Sequence, residues 1–206
     1  MIHAQDLTLS YGKENIIENA SFDIAQGEAA ILVGENGSGK STLLYALSGA
    51  MKAKSGTLAI KGSVGYIPQG SGLIEELTFS DNLKFFAALS GADIPKELPF
   101  DAEKLLNKKI SDMSGGMKKL CSILCTVIGK PQILLLDEPC ASLDKEHRQM
   151  LTDYLRALKQ DGITIVYVGH NSEEYASFAD KYIRIGKTVT SLSREAYEKI
   201  AGGSRV

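Results

Sequence analysis

The first part of the chain alternates apolar and polar residues, which predicts β-strands with one buried face. The stretches "LTLSY" and "ASFDIAQGE" show this alternation with turn residues between them, as in a small, partly antiparallel layer. Continuous apolar runs follow at "AAILVG", "ILLLD" and "ITIVYVG". Runs of this length indicate strands buried on both faces and are much shorter than the roughly 20 residues of a membrane-spanning helix.

Helical patterns separate these strands. "TLLYALSG" predicts a helix that ends at Gly49, and "SDNLKFFAALSG" has an Asp or Ser start and a glycine end. Further helices are predicted at "AEKLLNKKI", after Gly115, at "DKEHRQMLTDYLRALKQ" and at "SEEYASFA". The last two helices alternate with predicted strands, the final one of which is "YIRI". This order predicts a mainly parallel sheet covered by helices. We expect one α/β domain over residues 1–206, with a helical lobe inserted at about 70–129.

Composition narrows the class of protein. With 206 residues, 44% of them hydrophobic, the chain can bury one substantial core. A net charge of -2 and a pI near 6.0 give no reason to expect a nucleic-acid partner or a polybasic membrane surface. The start "MIHAQDLTLSYGK" has no basic segment followed by an apolar one, so we expect a cytoplasmic protein.

The three cysteines do not form a pattern typical of a disulfide framework or a zinc site. Cys121 and Cys125 belong to an apolar stripe with Met117, Leu120, Leu124 and Ile128. We therefore expect these two thiols to lie in the core as small apolar groups.

The strongest chemical motif is a phosphate-binding loop between a predicted strand and a predicted helix. "GENGSGKS" satisfies G-x-x-x-x-G-K-[ST], so the fold class is expected to be that of a P-loop NTPase. Backbone amides of the loop would surround the phosphates, Lys40 would reach the terminal ones, and Ser41 would ligate Mg²⁺. The predicted ATP-binding residues of this loop are Gly34, Glu35, Asn36, Gly37, Ser38, Gly39, Lys40, Ser41 and Thr42.

Polar residues follow three other predicted strands, "VGYIP", "ILLLD" and "ITIVYVG", at their carboxyl ends, where open parallel sheets place ligands. Asp137 is predicted to help hold Mg²⁺, directly or through water, and Glu138 to orient and deprotonate the attacking water; the alternative is that Asp137, Glu138 and Pro139 only end the strand with a polar turn. Gln69 would bind a metal-bound water and sense the γ-phosphate. The alternative is that Gln69 is an ordinary polar turn residue. His170 would contact the transferring phosphoryl group, although a single histidine is more often a surface or packing residue.

Taken together, the order Tyr11, "GENGSGKST", Gln69, "MSGGM", "ILLLDEP", "SLD" and His170 resembles the nucleotide-binding subunits of ABC transporters. The similarity covers nearly the whole chain. It implies that Tyr11 stacks on adenine, with an ordinary surface tyrosine as the alternative. It also implies two head-to-tail cassettes, either two copies or a pair of paralogues, with two ATP molecules between them.

The resemblance assigns a role to the serine and glycines of "MSGGM". Ser114, Gly115 and Gly116 are implied to contact the γ-phosphate of the ATP held by the second cassette, through the hydroxyl, the backbone amides and the helix dipole. Asp144 is implied to lie at the dimer interface, and it is also a plausible N-cap for the helix that follows.

Three positions depart from the family pattern. Met113 stands in place of leucine, Met117 in place of glutamine and Asn171 in place of aspartate. Met117 matters most, because a thioether cannot donate the hydrogen bonds of an amide. Slower or differently regulated turnover is the expectation that follows.

The resemblance implies an ATPase that uses ATP and Mg²⁺ to power transport, of the efflux type by similarity, through a separate integral membrane permease. The chain would then lie on the cytoplasmic face of the membrane, and its helical lobe would contact the permease. The alternative is an ABC-type ATPase that acts on soluble partners, such as iron–sulfur cluster assembly. Only 74 positions separate Lys40 from Ser114, too few for the long coiled coil of chromosome-type relatives.

Overall fold

The computed structural model describes residues 1–169 and 174–202. Its strands are β1 (Ile2–Tyr11), β2 (Glu14–Ile24), β3 (Ala29–Val33), β4 (Ser55–Ile60), β5 (Val64–Ile67), β6 (Ile133–Asp137), β7 (Thr164–Val168), β8 (Lys181–Arg184) and β9 (Thr190–Leu192). Its α-helices are α1 (Lys40–Leu47), α2 (Phe79–Ser90), α3 (Gly115–Val127), α4 (Lys145–Gln160) and α5 (Arg194–Gly202).

The strands form two sheets. The smaller sheet is antiparallel in the order β2-β1-β4, which confirms the N-terminal layer predicted from the alternating pattern. The larger sheet has the order β5-β6-β7-β3-β8-β9, with β9 alone antiparallel to its neighbour among these strands. The mainly parallel sheet is therefore confirmed. The carboxyl ends of β3, β5, β6 and β7 lie along one edge of this sheet.

Two hydrophobic clusters cover the two faces of the larger sheet. The first lies between that sheet, α1 and the antiparallel layer, and includes Leu32, Leu43 and Val166. The second covers the opposite face and includes Leu136, Leu155 and Tyr167. The buried runs predicted from the sequence are thus buried on both faces, because layers of apolar side chains cover them on each side.

A third cluster lies in the segment between β5 and β6, and helix α3 joins it to the rest. Cys121, Leu124 and Cys125 of α3 pack in this third cluster, whereas Leu120 and Ile123 of the same helix pack in the second. The predicted burial of Cys121 and Cys125 is confirmed. Helix α3 thus links the helical segment to the larger sheet.

Several predicted elements differ from the structure. "AEKLLNKKI" is not an α-helix but part of a 3₁₀ segment, Pro99–Leu105, and a turn region after it; Phe100 and Asp101 have positive φ values of 66° and 52°, which interrupt helical hydrogen bonding. Helix α2 is capped by Thr78 rather than by Ser80 or Asp81, which lie in its first turn. Residues 174–178 of the predicted helix "SEEYASFA" form a turn. Strand β9 and helix α5 had not been predicted.

Within residues 1–169 and 174–202, none of the helices has both the length and the apolar character needed to span a bilayer.

Candidate functional site

The loop between β3 and α1 is shaped to receive an anion. Gly37 and Gly39 have φ values of 79° and 102°, a region that favours glycine. Gly39 precedes the first turn of α1, which has neither a side-chain cap nor an acidic residue. The first N–H groups of α1 are therefore available to a negatively charged ligand, and the helix dipole favours one there.

The ammonium of Lys40 lies inside this loop. Lys40 is buried, and its Nζ donates to the carbonyl oxygens of Gly34, at 2.9 Å, and Glu35, at 2.8 Å. Burial lowers the pKa of Lys40, and the carboxylates of Glu138 and Asp137 oppose that shift. A positive charge is thus held beside the helix N-terminus with two acidic groups nearby.

Two further polar groups fit a phosphate and a divalent cation. The hydroxyl oxygen of Ser38 is buried and has no hydrogen-bond partner in the part of the chain that the structure describes, which suits it to a ligand oxygen. Ser41 donates a hydrogen bond to Asp137. A hydroxyl beside a carboxylate is a donor set that Mg²⁺ accepts, so the residues present fit the group.

Asp137 and Glu138 end β6 with different environments. Asp137 is buried; that burial raises the pKa of its carboxyl group, the hydrogen bond from Ser41 lowers it, and the charge of Glu138 raises it further. Glu138 is half-buried and has a φ of 48°, so its side chain leaves the chain in a different direction from that of Asp137. The two carboxylates thus have different surroundings, and their separate roles stay a prediction.

Gln69 lies opposite Glu138. Its Nε2 donates to Oε2 of Glu138 at 3.3 Å. Both residues line a cavity of about 480 Å³ with Ile16, Asn36, Gly37, Gly39, Lys40, Ser41 and Thr42. The structure thus brings together the loop, the glutamine and the glutamate around one space large enough for a nucleotide's phosphates.

The cavity does not account for every predicted site residue. Tyr11 ends β1 with 55% of its surface exposed and does not line this cavity, and exposure suits either a stacking residue or a surface tyrosine. His170 and Asn171 fall outside the residues that the structure describes. Ile16 lines the cavity but was not predicted; its place in an alternating strand gave no chemical signal.

Ser114, Gly115 and Gly116 begin α3 and do not line the cavity around Lys40. Ser114 is the N-cap, and its Oγ accepts from the amide of Met117 at 3.3 Å. The glycines also have a packing reason that the sequence did not reveal: a Cβ on Gly116 would lie 3.1 Å from the carbonyl oxygen of Ser142 and 3.2 Å from Cδ2 of Leu143. A second helix N-terminus is thus exposed, away from the first.

Asp144 caps α4, as its position predicted. It accepts a hydrogen bond from the amide of His147 at 2.9 Å and from the imidazole Nδ1 at 2.8 Å. Hydrogen bonds to His147 hold the pKa of Asp144 below its usual value. This role accounts for the residue without a partner chain, and its predicted place at a dimer interface stays a prediction.

The chain has clear relatives among known proteins. The family model described as "ABC transporter" matches residues 17–141. An uncharacterized ABC transporter ATP-binding protein of Methanocaldococcus jannaschii is 31% identical over 90% of this chain and 74% of its own length. The Nod factor export ATP-binding protein I of Mesorhizobium japonicum is 33% identical over 85% of this chain, which spans 57% of that relative.

Solved structures agree with these relatives. An ATP-binding subunit of an ABC transporter superimposes with a TM-score of 0.87, at 25% identity over 100% of this chain and 95% of that one. A dimeric, post-hydrolysis ATP-binding cassette bound to ADP and Pi has a TM-score of 0.78 at 23% identity, over 94% of this chain and 98% of that one, and so shares the fold. None of these proteins is named for iron–sulfur assembly, so the soluble-partner alternative gains no support.

Proposed function

The chain belongs to the ABC transporter family of ATP-binding cassettes, which are ATPases, and we propose that it hydrolyses ATP between two cassettes to power efflux through a separate membrane permease. The observation that carries the proposal is the cavity of about 480 Å³ where Lys40, Ser41, Gln69 and Glu138 meet at the N-terminus of α1.

Each residue proposed to bind or hydrolyse ATP has a role that follows from its chemistry. The loop from Gly34 to Thr42 binds the triphosphate through backbone amides, and Lys40 neutralises the terminal phosphates. Ser41 and Asp137 would hold Mg²⁺ and Gln69 would bind a water of the ion, which would neutralise charge on the phosphate oxygens. Glu138 orients the attacking water and accepts its proton. His170 contacts the transferred phosphoryl group, and Tyr11 stacks on adenine.

The proposal places a second cassette against the first. Ser114, Gly115 and Gly116 present an exposed helix N-terminus that lies outside the cavity of their own chain. Such a terminus binds anions, and in a head-to-tail pair it meets the γ-phosphate held by the partner. A cassette with the same fold is dimeric in its structure with ADP and Pi, which supports the pairing of two cassettes. Asp144 then lies near the interface that the two copies share.

The membrane permease is proposed to dock on the helical lobe, which we place at about 70–129 of one domain spanning residues 1–206. Helix α2 exposes Phe85 and Leu89, with 44% and 70% of their surfaces accessible. Leu89 also lines a cavity of about 390 Å³ together with Gly65 and Tyr66 of β5 and Pro131. An apolar groove beside an exposed helix suits an amphipathic partner helix, and this contact would keep the chain on the cytoplasmic face.

A pair of variants tests the catalytic dimer. Glu138→Gln saturated with Mg²⁺ and ATP is expected to run as a dimer in size exclusion with light scattering, because it closes on ATP without hydrolysing it. Adding Ser114→Asp keeps a good N-cap but places a carboxylate against the partner's γ-phosphate, so this double variant is expected to bind ATP and stay monomeric. Dimers of equal stability in both proteins would show that Ser114 does not contact the nucleotide.

Extraction in mild detergent tests the partner. The tagged chain at its natural level is expected to co-purify with an integral membrane protein, and Leu89→Glu is expected to lose that protein while it keeps ATPase activity. Lys84→Glu, at an exposed position of α2, is the matched control. Recovery of a soluble assembly instead would favour the alternative function.

A further inference from the structure

Lys119 is a buried lysine whose ammonium binds one turn of the backbone. Only 4% of its surface is exposed. Its Nζ donates to three consecutive carbonyl oxygens, those of Pro68 at 2.6 Å, Gln69 at 2.9 Å and Gly70 at 3.0 Å. A lysine ammonium has three N–H donors, and here every one of them is directed to the turn that follows β5.

Packing alone does not account for a lysine at this place. Burial lowers the pKa of Lys119, while the nearby carboxylates of Asp137 and Glu138 raise it. Removing a charge from water is costly, and an apolar side chain of similar volume often serves stability as well or better. What an apolar side chain cannot do is fix three carbonyl oxygens around one point.

The turn that Lys119 holds carries Gln69, whose amide reaches Glu138 at 3.3 Å. Lys119 itself stands in the second turn of α3, the helix capped by Ser114. We propose that Lys119 is a positioning residue for hydrolysis: it fixes the Gln69 turn to α3 and so keeps the Gln69 amide in register with Glu138. The inference rests on the proposed hydrolytic site, and Lys119 acts through Gln69 rather than on the nucleotide.

A second tie between α3 and the same segment provides a matched control. Lys118 pairs with Glu75 at 3.0 Å, and the side chains of this pair are 21% and 53% exposed. The ammonium of Lys118 contacts the side chain of Glu75, which lies beyond the turn, and none of the three carbonyl oxygens that Lys119 binds. Lys118→Met therefore removes a cation from α3 at the neighbouring position without releasing the Gln69 turn.

The test compares steady-state ATP hydrolysis by Lys119→Met, Lys118→Met and the unaltered chain. Loss of an outer residue that orients a reacting group typically costs about 10- to 100-fold in activity, so kcat of Lys119→Met is expected to fall about tenfold or more, with KM for ATP little changed. Lys118→Met is expected to keep kcat. Lys119→Gln, which retains two N–H donors, is expected to recover part of the loss and also serves if the methionine variant folds poorly.

A double-variant cycle separates positioning from a general effect on the fold. If Lys119 acts through Gln69, Lys119→Met combined with Gln69→Ala has the same kcat as Gln69→Ala alone, because the shared step is already lost. Multiplicative losses would overturn the proposal, as would an unchanged kcat in Lys119→Met.

Hydrogen exchange keeps this inference distinct from the proposed function. Amides of residues 69–72 are expected to exchange faster in Lys119→Met than in the unaltered chain, and those of β6 to exchange as before. This readout needs no nucleotide. If the ATPase or dimer experiments above failed while exchange at the turn rose, the proposed site would be wrong and the tie would stand; unaltered exchange would refute the tie itself.

Discussion

The backbone of Glu138 holds a conformation that L-residues rarely adopt, and this leads to a stability prediction. Its φ is 48°. Its amide donates to the carbonyl oxygen of Val168 at 3.0 Å, and its own carbonyl accepts from Ala141 at 3.2 Å. These bonds, on both sides of the residue, maintain the left-handed conformation. The substitution Glu138→Gly should therefore relieve backbone strain, whereas Glu138→Ala should not.

The size of the effect follows from two opposing quantities. The left-handed conformation costs a residue with a Cβ about 1–2 kcal/mol. Glycine, in contrast, loses more backbone entropy on folding than alanine does, which destabilises the folded state by about 0.5–1 kcal/mol. The difference favours Glu138→Gly over Glu138→Ala by about 0.75 kcal/mol at the centre of these ranges. For a chain of this length, 1 kcal/mol shifts Tm by about 2–4 °C, so the glycine variant is expected to melt about 2 °C higher.

Thermal unfolding of the two variants, neither of which can hydrolyse ATP on the proposed mechanism, is the assay. Asp153 in the middle of α4 is exposed and helical, and there the order should reverse, with glycine about 1 kcal/mol less stable than alanine. If Glu138→Ala melted at or above Glu138→Gly while the Asp153 pair behaved normally, the backbone at Glu138 would not be strained.

Three further predictions concern single positions. Met117→Gln is expected to raise the steady-state rate of ATP hydrolysis, since an amide can donate hydrogen bonds that a thioether cannot; equal rates would remove the idea. Ile16→Ala is expected to raise KM for ATP about tenfold with kcat unchanged, because it removes apolar contact from the cavity wall, and an unchanged KM would contradict a nucleotide contact. A thiol reagent at pH 8 is expected to react slowly with every cysteine of the folded chain and to label all three cysteines in denaturant. The reason is that burial raises the pKa of Cys121 to about 12 and that of Cys140 to about 11. Rapid labelling of the folded chain would refute this prediction.

The parts of the fold that followed from the sequence are those where local pattern and tertiary role coincide. The loop before Lys40 carries its own conformational signal in its glycines, and the buried runs of β3, β6 and β7 are apolar because layers cover both faces. The family and the ATPase activity follow from the order of the motifs and are confirmed by the relatives. The individual roles of the site residues remain predictions.

The errors arose where tertiary contacts decide the local structure. "AEKLLNKKI" has a helical pattern, but the backbone of Phe100, just before it, is in the left-handed region. The ring of Phe100 packs edge-on against that of Tyr154, with 5.0 Å between the ring centroids. The chain therefore turns at this point instead of continuing as a helix. No pattern in the sequence indicates that Lys119 is buried, because a lysine next to a lysine on an amphipathic helix normally faces solvent. Only its carbonyl partners, about fifty positions away, show why it is buried.

The positions of the two helix N-termini support the proposal of a site shared by two chains. The N-terminus of α1 opens into the cavity of Lys40, whereas Ser114 at the N-terminus of α3 does not line that cavity, so on the proposed arrangement the two contact one phosphate from different copies. Helix α3 approaches the segment after β6 closely at Gly116, where a Cβ would meet Ser142 and Leu143, and Lys119 binds it to the Gln69 turn. On the proposed arrangement, a nucleotide that draws Ser114 toward it would act on α3 and, through Lys119, on that turn. If the two cassettes pair as proposed, we expect binding at one ATP site to alter the geometry of Gln69 and Glu138 at the other, because differential contacts in open and closed dimers couple two sites.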